Sequence, residues 1–327
     1  MEGSGALRHH RRRDGGGSEA RRQDRFEAGR RLDRAADPAP RRGRRSRILL
    51  CLGGEGGVSE APILFTREAG IAEVVLNRPE KRNALNPEMI VRLARAWEEI
   101  EADPTVRVVL LRGRGDKTFC AGADLGRLTP LLTRARPAED EWDEAMLAEP
   151  KILNRAMLRG TGFHIPVIGA MRGAIVAGGM ELALACDLRI IADDSTMGLL
   201  EVQRGLIPAA GGVARVSRQI PSAWAAEILL VGDTVSAEDA LRMGLVNRVV
   251  PAAEVEHTAR VLAERMSRNS PLAMRKAKEA MMEASGRSIV DAFAIEDAGI
   301  KVLLRSNDAR EGSKAFMERR TPNFTGS

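Results

Sequence analysis

From Ile63 to Ala192, short apolar runs alternate with stretches of helical spacing, which limits the chain to folds in which helices cover a sheet. "ILFTREAGIAEVVLNRP" reads as two strands, Ile63 to Arg67 and Ile71 to Leu76, joined by a turn at Ala69-Gly70. In "LNPEMIVRLARAWEEIEAD", Asn86 is placed to cap a helix and Pro87 suits its first position. Met89, Ile90, Leu93, Trp97 and Ile100 share one face of it. "VRVVLLRG", "IPVIGAM" and "LRIIA" read as buried strands. The last third is mostly helical, and "SAED" from Ser236 has the form of a capping box. The expected class is α/β with a helical C-terminal region.

Charge is distributed unevenly. Residues 1 to 47 hold 15 of the 51 Lys and Arg but only 7 of the 45 Asp and Glu, a local excess of +8, which leaves 36 basic against 38 acidic residues for the remainder. The folded part is therefore near neutral, which argues against a nucleic-acid-binding core. The Arg-rich tail has only Phe26 to stack on bases, so nucleic acid is not the expected partner and solvated disorder over residues 1 to 60 is the expectation. Seven acids also set the tail apart from an organellar transit peptide. Cys51, Cys120 and Cys186 are too few and too scattered for a disulfide framework, which fits a reducing cytoplasm. Ile48 to Leu52 is far too short to span a bilayer.

The same elimination narrows the chemistry. The chain has no Tyr and no G-x-S-x-G motif, and its only histidines beyond the tail are His164 and His257. It also lacks G-x-G-x-x-G after a strand and the P-loop pattern. Tyrosine-based hydride transfer, nucleophile-elbow hydrolysis, His/Cys metal sites and dinucleotide binding all lose support, leaving carboxylates and backbone amides. Two glycine-bearing loops run from a strand toward a helix, "TFCAGADL" and "VAGGMEL". Free amides at such a junction can grip an oxyanion, although a tight turn is the commoner use of such glycines. Glu181 stands in the second loop without a Lys or Arg within four residues on either side. Taken alone, a carboxylate in the first turn of a helix is explained by the helix dipole.

The segments "LNRPEKRNALNPEM", "TFCAGADL", "GGMELALACDLRIIADDSTMGLLEV", "GLIPAAGG" and "EGSKAFMERRTPNF" occur in the order and at the spacing of one family. Over residues 61 to 324 the chain resembles the enoyl-CoA hydratase/isomerase (crotonase) family. The resemblance implies a crotonase (ClpP/crotonase-like) spiral of ββα units over residues 61–255. Residues 256–327 would then form a helical region that assembles trimers, or dimers of trimers. It also implies an acyl-CoA substrate, with coenzyme A part of that substrate, and neither a metal nor a redox cofactor.

By resemblance, Ala123 and Gly178 supply the backbone N–H groups of an oxyanion hole, and Glu181 and Glu201 are the catalytic pair. Glu181 would orient and activate water and Glu201 would deliver the α-proton. Lys81, Arg82, Ala121, Asp124, Leu125 and Phe316 would contact coenzyme A. For Lys81 and Arg82, solvated loop cations are an alternative, and Asp124 is expected to brace its loop. Two glutamates favour hydration of a 2-enoyl-CoA to the 3-hydroxyacyl-CoA. Double-bond isomerisation, a specialised dehydration and a non-enzymatic acyl-CoA or RNA-binding role are the alternatives. The chain departs from the family pattern at Ala177 and Ala209, where glycines are common, at Arg172, often asparagine, and in a longer segment from Gly126 to Pro150, which by the resemblance would lie near the acyl pocket.

Overall fold

A computed structural model gives the architecture over residues 61–160 and 162–327. The expected disordered tail of residues 1 to 60 lies outside the described residues, as does Cys51.

Strand β1 (Ile63–Glu68) turns at Ala69 and Gly70, both with positive φ, into the antiparallel β2 (Ile71–Leu76). Positive φ at both central residues matches the right-handed twist of the flanking strands. β3 (Val108–Gly113), β5 (Val167–Met171), β7 (Leu188–Ala192) and β10 (Arg248–Val250) extend this sheet in parallel, giving the order β1-β2-β3-β5-β7-β10. After three of these strands the chain crosses to a smaller sheet of β4 (Thr118–Cys120), β6 (Ala174–Val176), β8 (Thr196–Gly198) and β9 (Thr234–Ser236). The repeating unit is one strand in each sheet followed by a helical segment.

Both faces of the large sheet are buried, which explains the unbroken apolar runs of β3 and β5. Val109 and Leu111 face the main core with α1 (Pro87–Ala102), while Val108 and Leu110 face a second core under α9 (Val255–Ser267). Asn86 caps α1 by accepting from the Met89 amide at 3.0 Å, and Met89, Ile90, Leu93, Trp97 and Ile100 are all buried. Trp97 satisfies its indole N–H on the Ala156 carbonyl at 2.9 Å. Ser236 caps α8 (Ala237–Met243) by accepting from the Asp239 amide, and its hydroxyl donates to the Asp239 carboxylate.

The long segment after Gly126 contributes α2 (Leu128–Leu132) and α3 (Glu141–Ala148), followed by α4 (Ile152–Ala156). Asp143, fully buried, accepts from Arg136 through both carboxylate oxygens and pairs with Arg127, anchoring the segment. Beyond α9 lie α10 (Pro271–Ala284), α11 (Ile289–Leu303) and α12 (Asn307–Glu318). No residue of α11 is buried, and Ile289, Val290 and Phe293 are 66, 72 and 56 % exposed. Among the described residues no helix is long and apolar enough to cross a membrane.

Candidate active site

Helix α5 (Gly178–Ala185) begins where β6 ends, and its first turn sets most of the site. A Cβ on Gly179 would collide with the carbonyl of Cys120, so the absent side chain lets α5 lie directly against β4. Ala177 opens the helix at φ +50, ψ −128, a conformation an alanine adopts only under strain of about 1–3 kcal/mol. Its amide donates to Gly198 at 2.8 Å and its carbonyl accepts from the Glu181 amide at 3.0 Å, which hold it there.

This geometry brings the two predicted oxyanion donors together. A Cβ built on Gly122 would lie 2.8 Å from the Gly178 nitrogen, and one on Gly178 would lie 3.6 Å from the Ala123 nitrogen. Leu85 pairs with the flanking residues, its amide donating to Gly122 and its carbonyl accepting from Asp124. That pairing passes over the Ala123 amide. Among the described residues neither the Ala123 nor the Gly178 amide has an internal acceptor. Both residues line a cavity of about 710 Å³, and the α5 dipole adds to the pull on a negative oxygen there.

Glu181 and Glu201 line the same cavity in different environments. Glu181 is 4 % exposed, and its Oε1 accepts from the Gly212 amide, the first of α6 (Gly212–Gln219), at 2.9 Å. Burial pushes its pKa up, against the pull of the Gly212 and Ala210 amides and the Arg215 cation. Glu201 opens a 3-10 turn, Glu201–Arg204, and its Oε2 is buried without a hydrogen-bond partner. Burial, reinforced by repulsion from Glu181, raises its pKa to about 7. Two carboxyl groups, both held above the ordinary carboxylate range and in one cavity, suit paired acid and base work.

Lys81, Arg82, Ala121, Asp124 and Leu125 line the same cavity. Lys81, Arg82 and Leu125 are exposed. Asn83, fully buried, pins the Lys81–Arg82 loop to β4 by donating to the carbonyls of Arg114, Thr118 and Phe119, each at 3.0 Å. Asp124 accepts from the Gly126 and Arg127 amides and pairs with Arg78 at 3.2 Å, so its carboxylate is engaged within the loop. Phe316 is not brought to the cavity. It sits near the end of α12, 83 % exposed.

Sequence reasoning missed several contributors. Leu128, Leu132, Leu153 and Met157 form an apolar wall, the first two from the long segment after Gly126. The Gly212 amide and Arg215 support Glu181 from α6. The "AAGG" run that leads into α6 was the available signal, since it sets glycines at a helix start as the other two loops do. Among the described residues no group of three His, Cys, Asp or Glu side chains is placed to hold a metal ion.

Comparison with known proteins adds independent findings. The family model described as enoyl-CoA hydratase/isomerase matches residues 66–327. The chain is 35 % identical over 266 residues to (E)-benzylidenesuccinyl-CoA hydratase of Thauera aromatica, covering 81 % of this chain and 100 % of that protein. It is 36 % identical over 262 residues to enoyl-CoA hydratase EchA19 of Mycobacterium tuberculosis, covering 80 % and 95 %. The crystal structure of an enoyl-CoA hydratase from Bacillus anthracis superimposes with a TM-score of 0.73 at 33 % identity, over 81 % of this chain and all of that one.

Proposed function

The chain belongs to the enoyl-CoA hydratase/isomerase family, with its crotonase fold, and from that premise we propose that it hydrates a 2-enoyl-CoA thioester to the 3-hydroxyacyl-CoA. The observation that carries this reading is the pair Glu181 and Glu201, which share one cavity with two unused amides. In the proposed reaction the thioester oxygen accepts from the Ala123 and Gly178 N–H groups. Each such donor aimed at developing charge is worth a factor of about 10² to 10³ in rate. The Glu181 carboxylate, oriented by Gly212, takes a proton as water adds its oxygen to C3. Glu201, in its protonated form, gives a proton to C2 as the enolate collapses. Transfer of a proton between the two carboxyl groups, directly or through solvent, resets the pair.

The reaction so proposed uses no metal or redox cofactor. Lys81 and Arg82 at the cavity mouth offer positive charge to the phosphates of coenzyme A. The exposed apolar face of α11 supports a further part of the same reading, assembly of a homotrimer or dimer of trimers, with Phe316 near a neighbour's coenzyme A site. A cytoplasmic location belongs to it as well.

The test is loss of the enoyl-thioester absorbance when the purified protein meets crotonyl-CoA, with products identified by mass spectrometry across a set of acyl-CoA thioesters. Hydration that vanishes in Glu181→Gln and in Glu201→Gln supports the reading. Wild-type rates in either variant, with a migrated double bond as product, would replace it with isomerisation.

A further inference from the structure

Arg215 occupies an unusual place behind the site. It lies one turn into α6 and its guanidinium donates to three carbonyls from two separate segments: Glu181 at 3.2 Å, Met157 at 3.0 Å and Leu158 at 2.7 Å. Glu181 carries the proposed base, and Met157 lines the apolar wall of the cavity. Leu158 sits at φ +49, a turn that needs external support in a bulky residue. A planar fork with several fixed donors can meet three acceptors in this way, whereas an ammonium cannot match the geometry.

The neighbouring backbone makes room for this arrangement. Gly211 has φ +119, and a Cβ there would lie 2.6 Å from Arg215 Nη1. The next residue, Gly212, directs its amide at the Glu181 carboxylate. One helical turn thus holds Glu181 twice, by its side chain through Gly212 and by its backbone through Arg215.

We propose that Arg215 is a positioning residue, a clamp that fixes the Glu181 carboxylate against the acyl wall at Met157. Its cation also bears on the proton affinity of Glu181. The groups facing that carboxyl are Arg215 from α6, Arg159 beyond α4, Glu201 from its 3-10 turn, and the Gly212 and Ala210 amides. Arg204 faces Glu201. Removing the Arg215 charge leaves Arg159 as the remaining cation near Glu181, so its proton affinity rises.

The inference rests on the hydration reading, and the test separates the two. Arg215→Met removes the charge and the fork, while Arg215→Lys keeps only the charge. Two readouts are taken on folded protein: crotonyl-CoA hydration against pH, and the Glu181 titration by NMR of protein labelled with 13C at the glutamate carboxyl, assigned with Glu181→Gln. For Arg215→Met we expect kcat to fall about 10- to 100-fold with KM nearly unchanged, since small misplacement of a reacting group has effects of that size. The acidic limb of the rate profile and the Glu181 midpoint should both move to higher pH.

Arg215→Lys should lose kcat with a smaller midpoint shift, and it serves as the sole variant if Arg215→Met does not fold. A lower melting temperature with kcat and Glu181 midpoint both at wild-type values overturns the proposal, because it assigns Arg215 to folding alone. If the wild type hydrates no enoyl-CoA, the hydration reading fails. The NMR titration then still decides whether Arg215 governs Glu181.

Discussion

The candidate site and the C-terminal helices break the same burial rule in opposite directions. Glu181 is a carboxylate at 4 % exposure, whereas Phe293, Ile289 and Leu304 are large apolar side chains at 56, 66 and 68 %. Each departure costs free energy in the isolated chain: the first by desolvating an ionisable group, the second by leaving apolar surface in water. The first is offset in part from within, by the Gly212 amide and Arg215. Among the described residues nothing offsets the second. A deviation compensated from within points to chemistry, and one left uncompensated points to another molecule.

The largest expected effect tests the first half of that contrast. Glu181→Gln and Glu201→Gln should each lower the hydration rate by a factor on the order of 10² to 10⁴, since each removes one proton-transfer partner while preserving shape. Circular dichroism and affinity for coenzyme A should be unchanged. The double variant should lose less than the product of the single losses, because groups acting as a unit are not additive. Steady-state kinetics with crotonyl-CoA checks all three.

The second half is tested by Phe293→Asp combined with Leu304→Asp. Charges on the exposed face of α11 and on Leu304, which follows its last residue, should prevent burial of that face against a second copy, reducing the assembled fraction in light scattering at micromolar concentration at least tenfold. The monomer itself should melt as before, because neither side chain contributes to its core. An assembly unaffected by both charges would show that the apolar face is not the contact.

A pH series sharpens the comparison further. Glu201 must be protonated to act as the acid, so the rate should decline above about pH 7, the value to which burial and Glu181 raise it. The decline should approach tenfold per pH unit. Stability has a linked sign. A carboxyl whose pKa is raised in the folded state binds its proton more tightly there than in the unfolded chain. Its contribution is therefore fully present below the ordinary value of 4.5 and is lost as pH rises toward about 7. Glu201→Gln should then raise the melting temperature at pH 8 by about 2–4 °C and leave it unchanged at pH 4. No substitution on α11 should show that pH dependence.

The smallest effect concerns Ala177. Glycine at this position would release the strain of φ +50, but the unfolded chain would gain freedom worth roughly 0.5–1 kcal/mol. Ala177→Gly should stabilise the protein by about 0–2.5 kcal/mol, the strain released less the freedom gained by the unfolded chain, measured by urea unfolding.

What could be read from the chain follows the range of the interactions. Asn86, Pro87 and the apolar face of α1 act within a few residues, so the helix and its cap were legible. β3 and β5 were legible as strands because burial on both faces leaves a continuous apolar run. Glu181 and Glu201 were found through their motifs, whereas periodicity alone assigned Glu181 to a helix dipole. Arg215 was not legible, since its three acceptors lie 34, 58 and 57 residues away along the chain. The segment after Gly126 was placed near the acyl pocket, but its wall residues Leu128 and Leu132 were not singled out: their placement depends on Asp143, a buried charge paired with Arg127 and Arg136, and pairing of that kind leaves no periodic trace. The C-terminal stripe was visible as Ile289, Phe293, Ile300 and Leu304, but its full exposure required the fold.

The two unused amides have a consequence for isotope exchange. Ala123 and Gly178 flank a tightly packed core, with Cys120 and Met180 fully buried beside them, yet both line an open cavity and, among the described residues, neither N–H has an acceptor. In deuterated buffer they should label early, as if they belonged to a frayed terminus, while the amides of β3 on the other side of the core remain protonated for far longer. A thioester oxygen seated between them would reverse that order. The residues proposed to hold the substrate thereby double as reporters of its presence, readable at single-amide resolution without any turnover.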